Sequence, residues 1–116
     1  MSTTHVSSTD SDLDNTLITA VEGGINDWAV VRRYHAVEGT PVTVEVQEDD
    51  PATAVRPGWH LVNRDVIARG LQACAERYPN VISHYLQSGG PGDRAPDAEV
   101  ADAILQAGLF GEIVYG

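Results

Sequence analysis

Two consecutive glycines interrupt what is otherwise a helical stripe, and this constrains the chain more than any other feature. Between Leu13 and Val31 (LDNTLITAVEGGINDWAVV) the residues Leu13, Leu17, Val21, Gly24 and Trp28 recur at the spacing of one helical face. Each glycine inside a helix costs on the order of 1 kcal/mol relative to alanine, so Gly23-Gly24 needs a structural reason. The pair can kink the helix, or it can offer a smooth face to a second backbone, and close packing is the favoured reading. The natural partner is the apolar C-terminal stretch from Gln106 to Gly116 (QAGLFGEIVYG), which is too apolar for a loose end.

The remaining chain divides by period. Residues 1 to 10 (MSTTHVSSTD) are polar, lack periodicity and read as a flexible tail, after which Ser11, Asp12 or Asp14 can cap the first helix. Arg32 to Val37 and Val42 to Val46 alternate with a period of two around a Gly39-Thr40-Pro41 turn. Thr53 to Val55 with Gly58 to Val62 offer a third strand, interrupted at Pro57. Asn63 caps a second helix with the stripe Val66, Gly70, Leu71, Cys74 and Tyr78, which Pro79 ends. Val81 to Leu86 form a short third helix closed by Gly89, and Ser88 to Pro96 form a loop. Asp97 caps a fourth helix with the stripe Val100, Ala101, Ile104, Leu105 and Gly108. The expected fold class is therefore α+β: a three-stranded antiparallel meander packed against about four helices, in one domain over residues 11–116. A chain of 116 residues is too short for two self-sufficient cores.

Charge narrows the function. Seventeen acidic residues face seven basic ones, all arginine, for a formal net charge of −10. Leaving out the tail's acids changes this little, so the imbalance belongs to the folded part. Such a surface repels phosphate backbones and attracts basic proteins, including those whose own task is to hold nucleic acid. Arginine without lysine points to a high-GC genome, or to adaptation to salt. The single cysteine, Cys74, excludes an internal disulfide and sits on an apolar helix face. No leader-like or membrane-length apolar run is present, and a cytoplasmic protein is expected.

No reactive constellation stands out. The histidines His5, His35, His60 and His84 stand far apart, with no second histidine or cysteine at three or four residues from any of them, so no metal or other cofactor is expected. No serine lies in a nucleophile elbow and no phosphate loop is present, so no catalytic residue is assigned. Glu22 and Asn26 stand four apart beside Trp28, which would suit a general acid with an orienting amide if they shared a cleft. A solvated polar face is the commoner outcome for such a pair. Two acidic clusters complete the inventory: Glu48, Asp49 and Asp50, and then Asp93, Asp97, Glu99 and Asp102 around the start of the fourth helix. Carboxylates so spaced can stand in for phosphates in a basic groove.

At AVEGGINDWAVVRRYH, NRDVIARGL and DAEVADAILQAGLFGEIVYG the chain resembles a group of small acidic proteins carried by phages and integrated mobile elements of high-GC actinobacteria. The resemblance covers roughly two fifths of the chain and implies a setting rather than a chemistry. Small acidic proteins of that setting often bind and block host defence complexes, of the CRISPR or restriction type. The leading expectation is a non-enzymatic binding protein that docks through its acidic surface on a basic host protein or nucleoprotein complex. The alternatives are a small enzyme or ligand-binding protein with a pocket at Glu22, Asn26 and Trp28, and a homodimer assembled through the apolar C-terminal end.

Overall fold

The structure is a computed structural model that describes residues 9–88 and 97–116. It contains α1 (Asp10–Thr19), a π-helical turn (Ala20–Gly24), β1 (Ala29–His35), β2 (Thr43–Glu48), β3 (His60–Val62), α2 (Arg64–Arg77), α3 (Pro79–Ser88) and α4 (Ala98–Phe110). The strands form one antiparallel meander in the order β1-β2-β3, giving the expected α+β class.

Helix α1 begins earlier than the expected caps. Thr9 is the N-cap: its Oγ1 accepts from the Asp12 amide at 3.1 Å, and an Asp12 carboxylate oxygen accepts from the Thr9 amide at 3.1 Å. Asp12 thus acts three residues into the helix rather than as its cap, closing a box that satisfies two otherwise orphaned donors. The helix also ends sooner than its stripe predicts. Over Ala20–Gly24 it widens into a π-turn, with the Ile25 amide donating to the Ala20 carbonyl at 2.9 Å, and the chain then turns into β1. Trp28 consequently lies beyond the helix, at the entrance to β1.

Both readings of the glycine pair hold in part. The helix changes course there, and a Cβ on Gly24 would meet the Ala98 carbonyl oxygen at 2.6 Å, so the turn rests directly on the start of α4. Among the described glycines, closer approaches lie elsewhere. A Cβ on Gly70 of α2 would fall 1.9 Å from the Ile104 oxygen, and one on Gly108 of α4 would fall 2.0 Å from the Val66 oxygen. Two glycines therefore face each other's helix, and α2 and α4 cross with their backbones in contact.

The sheet uses its period of two. Val44 and Val46 are fully buried while Thr43, Glu45 and Gln47 on the other face are half-exposed. The valines join one core with Leu13 and Leu17 of α1, Ile67 and Leu71 of α2, and Ile104 and Leu105 of α4. On the outer face Arg32 donates to Glu45 at 2.6 Å and lies 4.1 Å over the Trp59 ring. Strand β1 is an open edge, and it is broken by a register shift at Arg33, whose φ of +52° is rare for a residue with a side chain. A bulge and charge at a free edge oppose strand-to-strand aggregation.

Two further expectations are corrected. The third strand is only His60–Val62, because the Val55 and Arg56 amides, each at 2.8 Å, donate to the Glu48 carboxylate instead of to a ladder. Pro79 does not simply end α2; it opens α3, where its missing N–H is no loss. Asn63 and Asp97 cap α2 and α4 as their sequence positions predict. The expected closure by Gly89, most of the loop to Pro96, Asp93 and His5 lie outside the described residues.

Candidate functional site

The C-terminal segment docks by side-chain bonds rather than by a strand. Gln106, with no exposed surface, uses every position its amide offers. Its Oε1 accepts from the Val114 and Tyr115 amides at 2.9 and 2.7 Å, and its Nε2 donates to the Tyr115 carbonyl at 3.0 Å and to Asp102 Oδ1 at 2.9 Å. A buried amide satisfied in this way orders the groups around it, because any alternative arrangement leaves a desolvated polar atom. Tyr115 is thereby laid on Trp28, with ring centroids 5.1 Å apart and planes 7° from parallel, while Phe110 packs 5.6 Å from the same indole. These C-terminal aromatic residues, the basis of the homodimer alternative, pack against one another within the chain.

Carboxylates surround this stack. Trp28 Nε1 donates to Asp102 Oδ1 at 2.8 Å on one side. On the other, the Tyr115 hydroxyl donates to Glu48, and the Asp49 amide donates to the Trp28 carbonyl at 2.8 Å. Two clusters about fifty residues apart in sequence therefore flank one aromatic pair. A cleft of about 460 Å³ lies beside it, lined by Gly23, Gly24, Asp27, Glu99, Asp102 and Tyr115 among others, and none of the described residues lining it is basic.

The two carboxyls bonded to the stack respond oppositely. Burial raises the Asp102 pKa, and the charges of Asp27 and Glu99 raise it further, against the donors Gln106 and Trp28. Burial also pushes Glu48 upward, but the bonds from Tyr115, Val55 and Arg56 and the nearby His60 together outweigh it and hold Glu48 low. The bond to Glu48, then burial, push the Tyr115 hydroxyl up to about 12. A group held low stabilises the fold at neutral pH and loses that contribution as pH falls through its folded pKa; a group held high does the reverse. Glu48→Gln is therefore expected to lower stability at pH 7 and to lose less of it than the parent on acidification. Asp102→Asn keeps an oxygen for both donors, and it is expected to match or exceed the parent at pH 7, with the advantage shrinking toward pH 4. Urea midpoints measured across that range check both signs, and a destabilised Asp102→Asn at pH 7 would contradict the account.

The expected site residues thus separate. Glu48, only 4 % exposed, is a structural anchor and not part of a docking surface. Asp102 is half-buried, whereas Asp49, Asp50, Asp97 and Glu99 are exposed, and Asp27 joins them from a third segment. Neither described cleft is lined by the expected pocket residues Glu22, Asn26 and Trp28. Glu22 is exposed and accepts from the Tyr34 hydroxyl at 3.1 Å, Asn26 is exposed in the turn, and Trp28 is buried under Tyr115. The Gly23-Gly24 turn and the C-terminal segment do border a cleft, but Asp27, Glu99 and Asp102 supply its acids. Cys74 is buried, which pushes its thiol up to about 11, and it is unsuited to act as a nucleophile. Among the described residues no group of three His, Cys, Asp or Glu side chains could hold a metal ion, and no helix is long and apolar enough to cross a membrane.

No known protein family, curated protein or solved structure matches the chain.

Proposed function

We propose that the chain is a non-enzymatic binding protein whose working surface is the acidic rim of the Trp28–Tyr115 stack, and that its partner is a basic protein that handles nucleic acid. One observation carries this reading: carboxylates from three remote segments gather around the stack, none of the described residues lining its cleft is basic, and five of the seven arginines are held by acceptors within the chain. Arg32 and Arg33 bind Glu45, Arg64 binds Asp14 and Asp10, Arg56 donates to the Leu109 carbonyl at 2.6 Å, and Arg77 donates to the Gly111 carbonyl at 2.9 Å. The cleft beside the stack is lined by Asp27, Glu99 and Asp102 with no base among the described lining residues, and a one-signed face of this kind favours fast, salt-sensitive encounter with a positive surface.

The stack and the Gln106 clamp hold the rim in place, so little ordering remains to be done on binding. Filling a groove meant for phosphates would exclude nucleic acid from the partner, and in the mobile-element setting implied by the resemblance that partner is a host defence complex. The test is capture from a host-cell lysate with the parent chain and with a variant carrying Asp27→Asn, Asp49→Asn, Asp50→Asn and Glu99→Gln. The parent is expected to retain a basic nucleic-acid-binding protein that duplex DNA or RNA displaces and that about 0.5 M salt releases. The variant is expected to melt like the parent and retain none of it. Capture indifferent to the four substitutions and to salt would remove the proposal.

A further inference from the structure

A second cleft, of about 500 Å³, shares no residue with the acidic rim; it lies between α1 and the β1–β2 hairpin. Its size is that of a small-molecule site. Ile18, Val37 and Val42 supply apolar wall, and Val37 is 54 % exposed although it is aliphatic. Ser11, Asn15 and Glu38 also line it, and none of their side chains bonds to any described residue. An apolar wall beside unpaired polar groups is an arrangement that a ligand can complete.

The charges decide which ligand. Arg64 lines the cleft, but Asp14 grips its guanidinium at both ends, Nε to Oδ1 at 2.9 Å and Nη2 to Oδ2 at 2.8 Å, and its Nη1 lies 3.3 Å from Asp10. That cation is neutralised before any ligand arrives. The one lining charge without a partner is the Glu38 carboxylate, on a chain with a net charge of −10. An anion would meet repulsion with no free cation to compensate it, whereas a cation finds a carboxylate.

We propose that the cleft between α1 and the β1–β2 hairpin binds a small amphipathic amine, with the ammonium at Glu38 and the apolar body against Val37, Val42 and Ile18. Three probes with one body and different heads decide the point: 3-phenylpropylamine, 3-phenylpropanol and 3-phenylpropionate, titrated into the isotopically labelled full chain and followed by amide chemical shifts. The amine is expected to bind tightest and the carboxylate weakest, with shifts at Asn15, Ile18, Val37 and Val42. Glu38→Gln is expected to weaken the amine about two- to fivefold, the value of a partly exposed ion pair, and to leave the alcohol unchanged. Val37→Ser, at an exposed position where folding is unaffected, is expected to weaken the amine and the alcohol alike. Equal or tighter binding of the carboxylate, amine shifts outside the cleft, indifference to Glu38→Gln, or no shifts up to the probes' solubility would each overturn the proposal. None of these results depends on the acidic rim.

Discussion

Gly70→Ala is expected to destabilise the protein by about 3 kcal/mol or more, with Gly108→Ala close behind. A methyl group on Gly70 would lie 1.9 Å from the Ile104 carbonyl oxygen, and one on Gly108 would lie 2.0 Å from the Val66 oxygen. Neither obstacle is a side chain that can rotate away. The α2 and α4 backbones must separate, and Ile67, Leu71, Ile104 and Leu105, packed between these helices and the sheet, lose contact together. Since small domains are stable by roughly 5–15 kcal/mol, a loss of this size shows clearly in urea unfolding followed by circular dichroism. Gly23→Ala is the control. Its Cβ would stand 3.5 Å from the Ala98 side chain, an ordinary contact, and alanine there is expected to leave stability unchanged or to raise it by up to about 1 kcal/mol. A Gly70→Ala protein as stable as the control would mean that the helices can part without consequence.

Gln106→Leu is expected to free the C-terminal segment and lower stability by about 2–3 kcal/mol, although leucine nearly matches glutamine in volume. The substitution strands the Val114 and Tyr115 amides and the Tyr115 carbonyl, and removes a donor from Asp102. The segment can recover water only by lifting off, and Tyr115 then leaves Trp28. Faster hydrogen exchange at Val114 and Tyr115, with slow exchange preserved in α2, is the local signature of that release. The proposed docking function should weaken with it, because Tyr115 helps to form the rim. Retained protection at Val114 in the variant would show that the aromatic contacts suffice without the amide.

Much of the fold is legible in the residue pattern. The alternating valines of β2, the caps Asn63 and Asp97, and the stripes of α2 and α4 act through neighbours a few residues away, and such short-range signals survive in a single sequence. The early end of α1 is not legible in the same way, because Leu13, Leu17, Val21, Gly24 and Trp28 satisfy a helical period whether or not the helix continues. It widens and turns where Gly24 lies against Ala98, more than seventy residues away, and that contact has no counterpart in the local pattern.

The site is less legible, with one exception. Glu48 falls on the same side of β2 as Val44 and Val46, so the period of two turns it inward, although its place in the run Glu48, Asp49 and Asp50 suggests an exposed acidic cluster. Gln106 offered no such hint. It lies beside the apolar stripe of α4, and it is buried only because the chain returns over it after Gly111. The pairing of Trp28 with Asp102, 74 residues apart, is of the same kind.

Composition and period therefore determined the class of fold, most helix caps and the anionic character, since each follows from local geometry or a simple sum of charges. Tertiary structure alone decided which carboxylates stand together around the stack, set Asp102 against Trp28 and brought Arg64 to Asp14. The reason is that burial and charge pairing depend on which remote segments meet, and contacts across fifty or more residues leave no periodic trace in the chain that makes them.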